Sequence, residues 1–250
     1  QLEDVLVSVL ESDLTGTELS VGLSVVNPGS RFTGISPAQV VLHGTDGVTA
    51  PPVLGRRRPM GGLVAPSAEQ RGDVYFDVSQ VAGPWQLTFN GLLDDSAASW
   101  SVTGDETAAP SPTGLHPDTA RRVGDRGMAG GVSVTLESAD RLTTSIVPPD
   151  DGRALLRTHL SLGSEGGDVV SPALQVMLAD EDGYWALPTT TVSEAGEVIG
   201  MTVVDPPITI EPGGEAAADV VFDIPADAAT FFLYFEDPQS GDVVVFRVDG

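Results

Sequence analysis

Three short carboxylate runs are the residues best suited to chemistry in this chain of 250 residues: Asp94-Asp95, Asp150-Asp151 and Asp180-Glu181-Asp182. Calcium takes about six to eight oxygen ligands, and carboxylates at β-turns can supply several of them. The run from Asp180 lacks the remaining ligands of an EF-hand loop, and Asp-Gly is a common pair in hairpin turns. Asp150, Asp151, Asp180 and Asp182 are therefore candidate metal ligands, and solvated turns are the alternative.

The other polar residues form no catalytic pattern. His43, His116 and His159 stand too far apart for metal-ligand spacing, and cysteine is absent. Serine occurs in no Gly-x-Ser-x-Gly elbow, and the glycine-rich stretches carry no lysine. We expect neither an enzyme nor a cofactor. The rival interpretation is an accessory domain of a secreted enzyme, in which Asp180 and Asp182 act as acid, base or metal ligand.

Charge and hydropathy restrict the partners. The chain has 36 acids against 12 basic residues, all of them arginine, for a net charge of -24. This charge repels nucleic acid and anionic membrane surfaces, and no apolar run approaches the roughly 20 residues of a spanning helix. Because the chain begins at Gln1 rather than Met, we expect that a leader or membrane anchor was removed from a secreted or cell-surface protein.

An internal repeat sets the organisation of the chain. Residues 66–89 align without a gap on residues 212–235, with nine identities in 24 positions. Upstream, Leu10-Glu11-Ser12 matches Leu136-Glu137-Ser138, and Ser36-Pro37-Ala38 matches Ser171-Pro172-Ala173. The repeat predicts two copies of one domain joined by a Pro-rich linker, with copy 1 at 1–105, the linker at 106–127 and copy 2 at 128–250.

Short alternating apolar runs separated by Gly and Pro predict an all-β chain. About seven such runs per copy are typical of an immunoglobulin-like β-sandwich. The predicted strands are 4–10, 18–26, 39–43, 72–78, 85–90 and 98–103 in copy 1, and 131–137, 154–162, 173–179, 198–204, 219–224, 230–236 and 243–248 in copy 2. The predicted core residues are Val74, Phe76, Val78, Trp85, Leu87 and Phe89, matched by Val220, Phe222, Ile224, Phe231, Leu233 and Phe235.

Copy 2 resembles the telokin-like immunoglobulin-fold domains of secreted bacterial proteins, a family of unknown function. The resemblance lies in the Asp182-Gly183 turn and in Pro212, Gly213, Phe222, Pro225, Leu233 and Phe235. Copy 1 departs from that pattern, with Ser67 after Pro66 and with Ser79 in place of Pro225. The resemblance implies a secreted or cell-surface binding module, and it implies no catalytic residues.

Two surfaces are candidates for binding a protein partner. Alternation places Val221, Phe232, Tyr234, Val243 and Val245 on the outward face of copy 2, where copy 1 is more polar, so we expect either an external partner or a cover within the chain. Arg56-Arg57-Arg58 is the only run of three basic residues, and it predicts a partner or interdomain contact or an exposed loop. The sequence favours a non-catalytic extracellular or cell-surface binding or scaffold module, with a calcium-binding adhesion module as alternative.

Overall fold

A computed structural model describes residues 5–29, 32–54, 60–66, 68–91, 96–105, 120–142, 149, 152–186, 188–192, 196–201 and 205–249. The chain divides into two compact units, Gln1–Leu115 and His116–Gly250. Regular structure in the described residues is almost entirely strand, which confirms the predicted all-β fold class. No helix in the described part of the chain has the length and apolar character that a membrane crossing requires.

The first unit packs a three-stranded sheet against a four-stranded one. The sheet orders are β1-β2-β7 and β5-β4-β8-β9, and β3 and β6 form a separate pair. A single 3-10 turn, Pro37–Gln39, precedes β4. The strands are β1 (Leu6–Thr15), β2 (Glu18–Val26), β3 (Thr33–Ile35), β4 (Val40–His43), β5 (Thr49–Ala50), β6 (Gly62–Val64), β7 (Glu69–Asp77), β8 (Trp85–Asn90) and β9 (Ala97–Val102).

The second unit contains two five-stranded sheets. Their orders are β11-β12-β13-β21-β17 and β10-β23-β22-β15-β16, with β14-β20 and β18-β19 as separate pairs. One short helix, α1 (Pro172–Gln175), precedes β15. The strands are β10 (Arg121–Arg122), β11 (Arg126–Ala129), β12 (Val132–Leu142), β13 (Arg153–Ser164), β14 (Asp168–Val170), β15 (Val176–Asp180), β16 (Trp185–Ala186), β17 (Pro188–Thr189), β18 (Thr191–Val192), β19 (Val198–Ile199), β20 (Ile208–Ile210), β21 (Gly214–Pro225), β22 (Thr230–Glu236) and β23 (Val243–Asp249).

Both cores lie between facing sheets, because successive side chains of a strand point to opposite sides. In the second unit, Leu160 and Phe222 from one sheet share a cluster with Leu233 and Phe246 from the other. All the predicted core residues are buried except Val78, which is partly buried. Burial of each large apolar side chain stabilises its sandwich by about 1.5–3 kcal/mol. The order β12-β13-β21 facing β15-β22-β23 is the strand arrangement of an immunoglobulin-like sandwich.

The structure corrects several predicted boundaries. The C-terminal end of the predicted linker 106–127 is structured, because β10 lies within it and β11 begins in it at Arg126, and both strands pair with strands of the second unit. The first half of the predicted strand 173–179 forms α1, since Pro172 opens a turn there. In the predicted strand 198–204, only Val198–Ile199 is a strand, and residues 202–204 lie outside the described residues, as do linker residues 106–119.

Candidate functional site

The Asp180 carboxylate closes a turn at the end of β15. Its side chain is 3% exposed, and Oδ1 accepts hydrogen bonds from the backbone N–H of Asp182 at 3.0 Å and of Tyr184 at 2.8 Å. The backbone N–H of Asp180 also donates to the Tyr184 carbonyl at 2.9 Å. The predicted pair Asp180 and Asp182 therefore meets in one hairpin turn, which the Asp180 carboxylate stabilises.

Calcium binding at this turn stays a prediction. Within the described residues, no group of three or more His, Cys, Asp or Glu side chains is arranged to hold a metal ion. The structure describes Asp180 and Asp182 in that turn, and Asp182 is exposed. The other two candidate ligands, Asp150 and Asp151, lie outside the described residues, as do Asp94 and Asp95.

The outward face of the second unit, for which the sequence left open an external partner or a cover within the chain, is largely buried. Val221 is 0%, Phe232 8% and Tyr234 2% exposed, while Val243 and Val245 are partly buried. The Tyr234 ring stacks on Trp185, with ring centroids 5.2 Å apart and planes inclined by 26°. Of the alternatives for this face, the structure favours a cover within the chain, because edge strand β16 brings Trp185 onto it.

Val221 is covered by the segment that follows β17. Thr189 of β17 pairs with Val221, and a Cβ built on Gly200 would lie 3.0 Å from the Val221 Cβ. The backbone of Gly200 has φ of +89°, so a glycine there allows both the turn and the close approach. The third predicted contact, Arg56-Arg57-Arg58, lies outside the described residues. Partner binding by the predicted residues therefore stays a prediction.

The structure brings together a charged cluster that the sequence analysis missed. Asp219 of β21 lies directly across from His159 of β13, and its Oδ1 lies 2.7 Å from His159 Nδ1. Arg157 Nη2 donates to Asp219 Oδ2, while Asp140 of β12 lies across from Arg157. Both oxygens of the Asp219 carboxylate are therefore engaged in cross-strand contacts on the outer side of the sheet.

The electrostatics of the Asp219 cluster favour its charged form. Burial raises the pKa of Asp219, but the hydrogen bonds from Arg157 and His159 outweigh that effect and hold the pKa below its ordinary value. The hydrogen bond to Asp219 raises the pKa of Arg157, against the opposing effect of burial. The cluster is thus a charged cross-strand contact between β13 and β21. Its members are 60 residues apart in sequence, so no local motif indicates them.

A second charged cluster lies on the corresponding side of the first unit. Glu69 of β7 is 8% exposed, and its Oε1 accepts hydrogen bonds from Ser24 Oγ at 2.5 Å and from Arg71 Nε at 3.1 Å. Ser24 and Arg71 lie across from one another on β2 and β7. Since a buried carboxylate needs such partners, this cluster also holds neighbouring strands together.

Comparisons with known proteins give limited similarity. No family model matches the chain, and no curated protein matches it. Solved structures that share part of its architecture include the ycdA protein of Bacillus subtilis, a lipoprotein candidate, with a TM-score of 0.39 and 13% identity over 50% of this chain and 38% of that one. An uncharacterised β-sandwich protein of Clostridium difficile gives a TM-score of 0.36 and 14% identity over 54% and 97% of the two chains. The yjhA protein of Bacillus subtilis gives a TM-score of 0.38 and 14% identity, over 52% of this chain and 98% of that one.

Proposed function

We propose that the chain is a non-catalytic binding or scaffold module of the cell exterior, built from two copies of one immunoglobulin-like sandwich of the telokin-like kind. The observation that carries the proposal is that the polar side chains best suited to chemistry hold the sandwich together instead. Asp180 closes a turn, Asp219 joins β13 to β21, and Glu69 joins β7 to β2 through Ser24. These groups stabilise the sandwich, and each of them already has hydrogen-bond partners within it.

A hydrogen-bond pattern that occurs in both units supports the duplication. In the first unit, the N–H of Ser36 donates to Gln39 Oε1 at 2.7 Å, and Gln39 Nε2 donates to the Asn90 carbonyl at 2.9 Å. In the second unit, the N–H of Ser171 donates to Gln175 Oε1 at 2.6 Å, and Gln175 Nε2 donates to the Glu236 carbonyl at 3.0 Å. Each glutamine thus joins the turn before β4 or β15 to the end of the neighbouring strand.

The exterior location rests on composition. A net charge of -24 keeps a protein soluble, and the absence of lysine and cysteine leaves few reactive side chains. Antibody against the chain should detect the native protein in the medium or on intact cells of the source organism. Detection only after the cells are lysed would contradict this part of the proposal.

Thermal unfolding of Asp219→Asn tests the scaffold proposal. A structural carboxylate that accepts two charged hydrogen bonds should be worth about 1–2 kcal/mol at this partly exposed site, so the variant should unfold more easily. Asp140→Asn is the matched control, because Asp140 is exposed and on the neighbouring strand. Functional sites are often kept at a cost in stability. An Asp219→Asn protein as stable as the parent, or more stable, would therefore favour an active site and overturn the proposal.

A further inference from the structure

Three arginines stand together on one short segment of the second unit. Arg121 and Arg122 form β10, Arg126 opens β11, and all three residues are exposed. They form no ion pair with any residue that the structure describes, although the chain carries 36 acids against 12 basic residues. Arginines on other strands do have carboxylate partners, namely Arg71, Arg153, Arg157 and Arg247.

Backbone hydrogen bonds hold this segment in place. The Asp125 N–H donates to the Arg122 carbonyl at 3.0 Å, and the Arg122 N–H donates to Asp125 Oδ2 at 2.9 Å. Gly124 turns the chain with φ of +88° and donates its N–H to the Leu136 carbonyl at 2.8 Å. The Asp125 carboxylate thus closes the turn by accepting from the backbone. A segment fixed in this way loses little conformational freedom when a partner binds.

Gly127 lets two of the arginines lie close together. A Cβ built on Gly127 would lie 2.1 Å from Val244 Cγ2 and 3.0 Å from Arg121 Nε. Because Gly127 has no side chain, the Arg121 side chain packs against its backbone, next to residue 126. Arg126 Nη2 donates to Ser133 Oγ at 2.7 Å, which fixes the direction of the second guanidinium. Positive charge is therefore held at defined positions along the segment.

Two apolar side chains are exposed among the arginines. Val123, in the turn between Arg122 and Asp125, is 42% exposed, and Met128 of β11 is 56% exposed. Arginine and methionine are both enriched in protein–protein interfaces, and the unbranched methionine side chain adapts to many partner surfaces. The composition of residues 121–128 is therefore that of an interface. We call these residues the arginine edge.

We infer that the arginine edge binds an acidic segment of another protein, whose carboxylates pair with the three arginines and whose apolar side chains cover Val123 and Met128. The inference rests on the proposed binding function and assigns its surface. Guanidinium groups bind carboxylates through paired, charge-assisted hydrogen bonds of defined geometry. A phosphate polymer could also pair with the arginines, but it would leave Val123 and Met128 in water. The two apolar side chains therefore favour a protein segment.

Charge also favours a short acidic segment over a second copy of this chain. At physiological ionic strength, charges further away than about 8 Å are largely screened, so the nearby arginines dominate the attraction of a short segment. A second copy would bring its own net charge of -24 against an equal charge. Two such chains repel each other.

Methionine methyl groups give a direct readout in the full chain. The chain has four methionines, and labelling their methyl groups with carbon-13 gives Met128 a signal at the arginine edge. Met60 is 0% and Met177 3% exposed, so their signals report on the two cores. The probe is a blocked synthetic peptide of alternating Glu and Leu, and its matched control alternates Glu and Ser with the same charge.

We expect the Glu-Leu peptide to shift the Met128 signal to saturation and to leave the Met60 and Met177 signals in place. The Glu-Ser peptide should bind about tenfold more weakly, because it cannot cover the apolar side chains. Arg126→Gln should also weaken binding of the Glu-Leu peptide about tenfold. Arg153→Gln is the matched variant, since it removes the same charge from the start of β13, and it should bind like the parent.

Four results would overturn the inference. The first is an unchanged Met128 signal in millimolar Glu-Leu peptide. The second is equal weakening in Arg126→Gln and Arg153→Gln, which would be an effect of net charge alone. The third is binding of the Glu-Ser peptide or of polyphosphate as strong as that of the Glu-Leu peptide, which would make the edge a general anion site.

The fourth result is a Met128 signal in the free chain that moves, on dilution or on addition of salt, as far as the peptide moves it. The acids of the chain itself or of a second copy would then already occupy the arginine edge. Loss of stability in Asp219→Asn combined with any of these four results would leave the scaffold proposal standing and remove only the assigned surface.

Discussion

Replacement of Tyr234 by phenylalanine should stabilise the second unit. Tyr234 is 2% exposed, and its hydroxyl oxygen is buried with no hydrogen-bond partner among the residues that the structure describes. Burial also raises the pKa of this phenol above its ordinary value, because the charged form would be desolvated. Tyr234→Phe removes only the hydroxyl, so the ring can keep its stacking contact with Trp185.

The size of the effect follows from the cost of an unpaired buried hydroxyl. A buried polar group without a partner costs about 1–3 kcal/mol, and the small void left by one oxygen atom returns part of that. We therefore expect the free energy of unfolding to rise by about 1–2 kcal/mol. For a unit of this size, the gain corresponds to an increase of about 3–6 °C in its Tm.

Differential scanning calorimetry of the full chain is the suitable assay, because two units can unfold in separate transitions. Tyr75→Phe in the first unit is the matched control, since the Tyr75 hydroxyl donates to Asp73 Oδ2 at 3.3 Å. That variant should lose about 0.5–1 kcal/mol, which is opposite in sign. A loss of stability in Tyr234→Phe similar to that of Tyr75→Phe would refute the reasoning, because it would mean that the Tyr234 hydroxyl is hydrogen-bonded.

Three further variants test the remaining roles. Phe232→Ser should lower the free energy of unfolding of the second unit by about 3 kcal/mol, as measured in urea, because Phe232 is 8% exposed. An unchanged urea midpoint would show that the Phe232 side chain is exposed to solvent. The parent should be more stable than Asp219→Asn by the full amount above the pKa of Asp219 in the unfolded chain, near 4. This difference in stability should vanish as pH falls through the lower pKa of Asp219 in the folded chain. A difference that grows in acid would contradict the ion pairing. Asp180→Ala should lower the free energy of unfolding by about 1–2 kcal/mol, because two backbone N–H groups lose their acceptor. The parent should have the same Tm in EDTA and in millimolar calcium. A rise of several degrees in calcium would show instead that the turn binds the metal.

Alternation and turn chemistry were sufficient to predict most of the architecture. Phe222 and Leu233 were placed in the core because apolar residues at every second position share one side of a strand. The Leu-Glu-Ser match was one position off, because strand register places Val9, not Leu10, in the position of Leu136. The register shift that follows this residue falls at the same place in β1 and in β12, and the local sequence does not mark where such a bulge falls.

The sequence by itself determined the all-β class, the repeated pattern and the core residues, because those depend on contacts within a strand and its turns. Only the tertiary structure decided which outer residues meet. Asp219 and His159 pair because β21 aligns with β13, and Tyr234 is buried although its position in the alternating pattern points outward. Strands β10 and β11 have two and four residues, too few to show a period, so they depend on the edges of β23 and β12. Edge pairing depends on what lies beside a strand in space, which a pattern along the chain does not record.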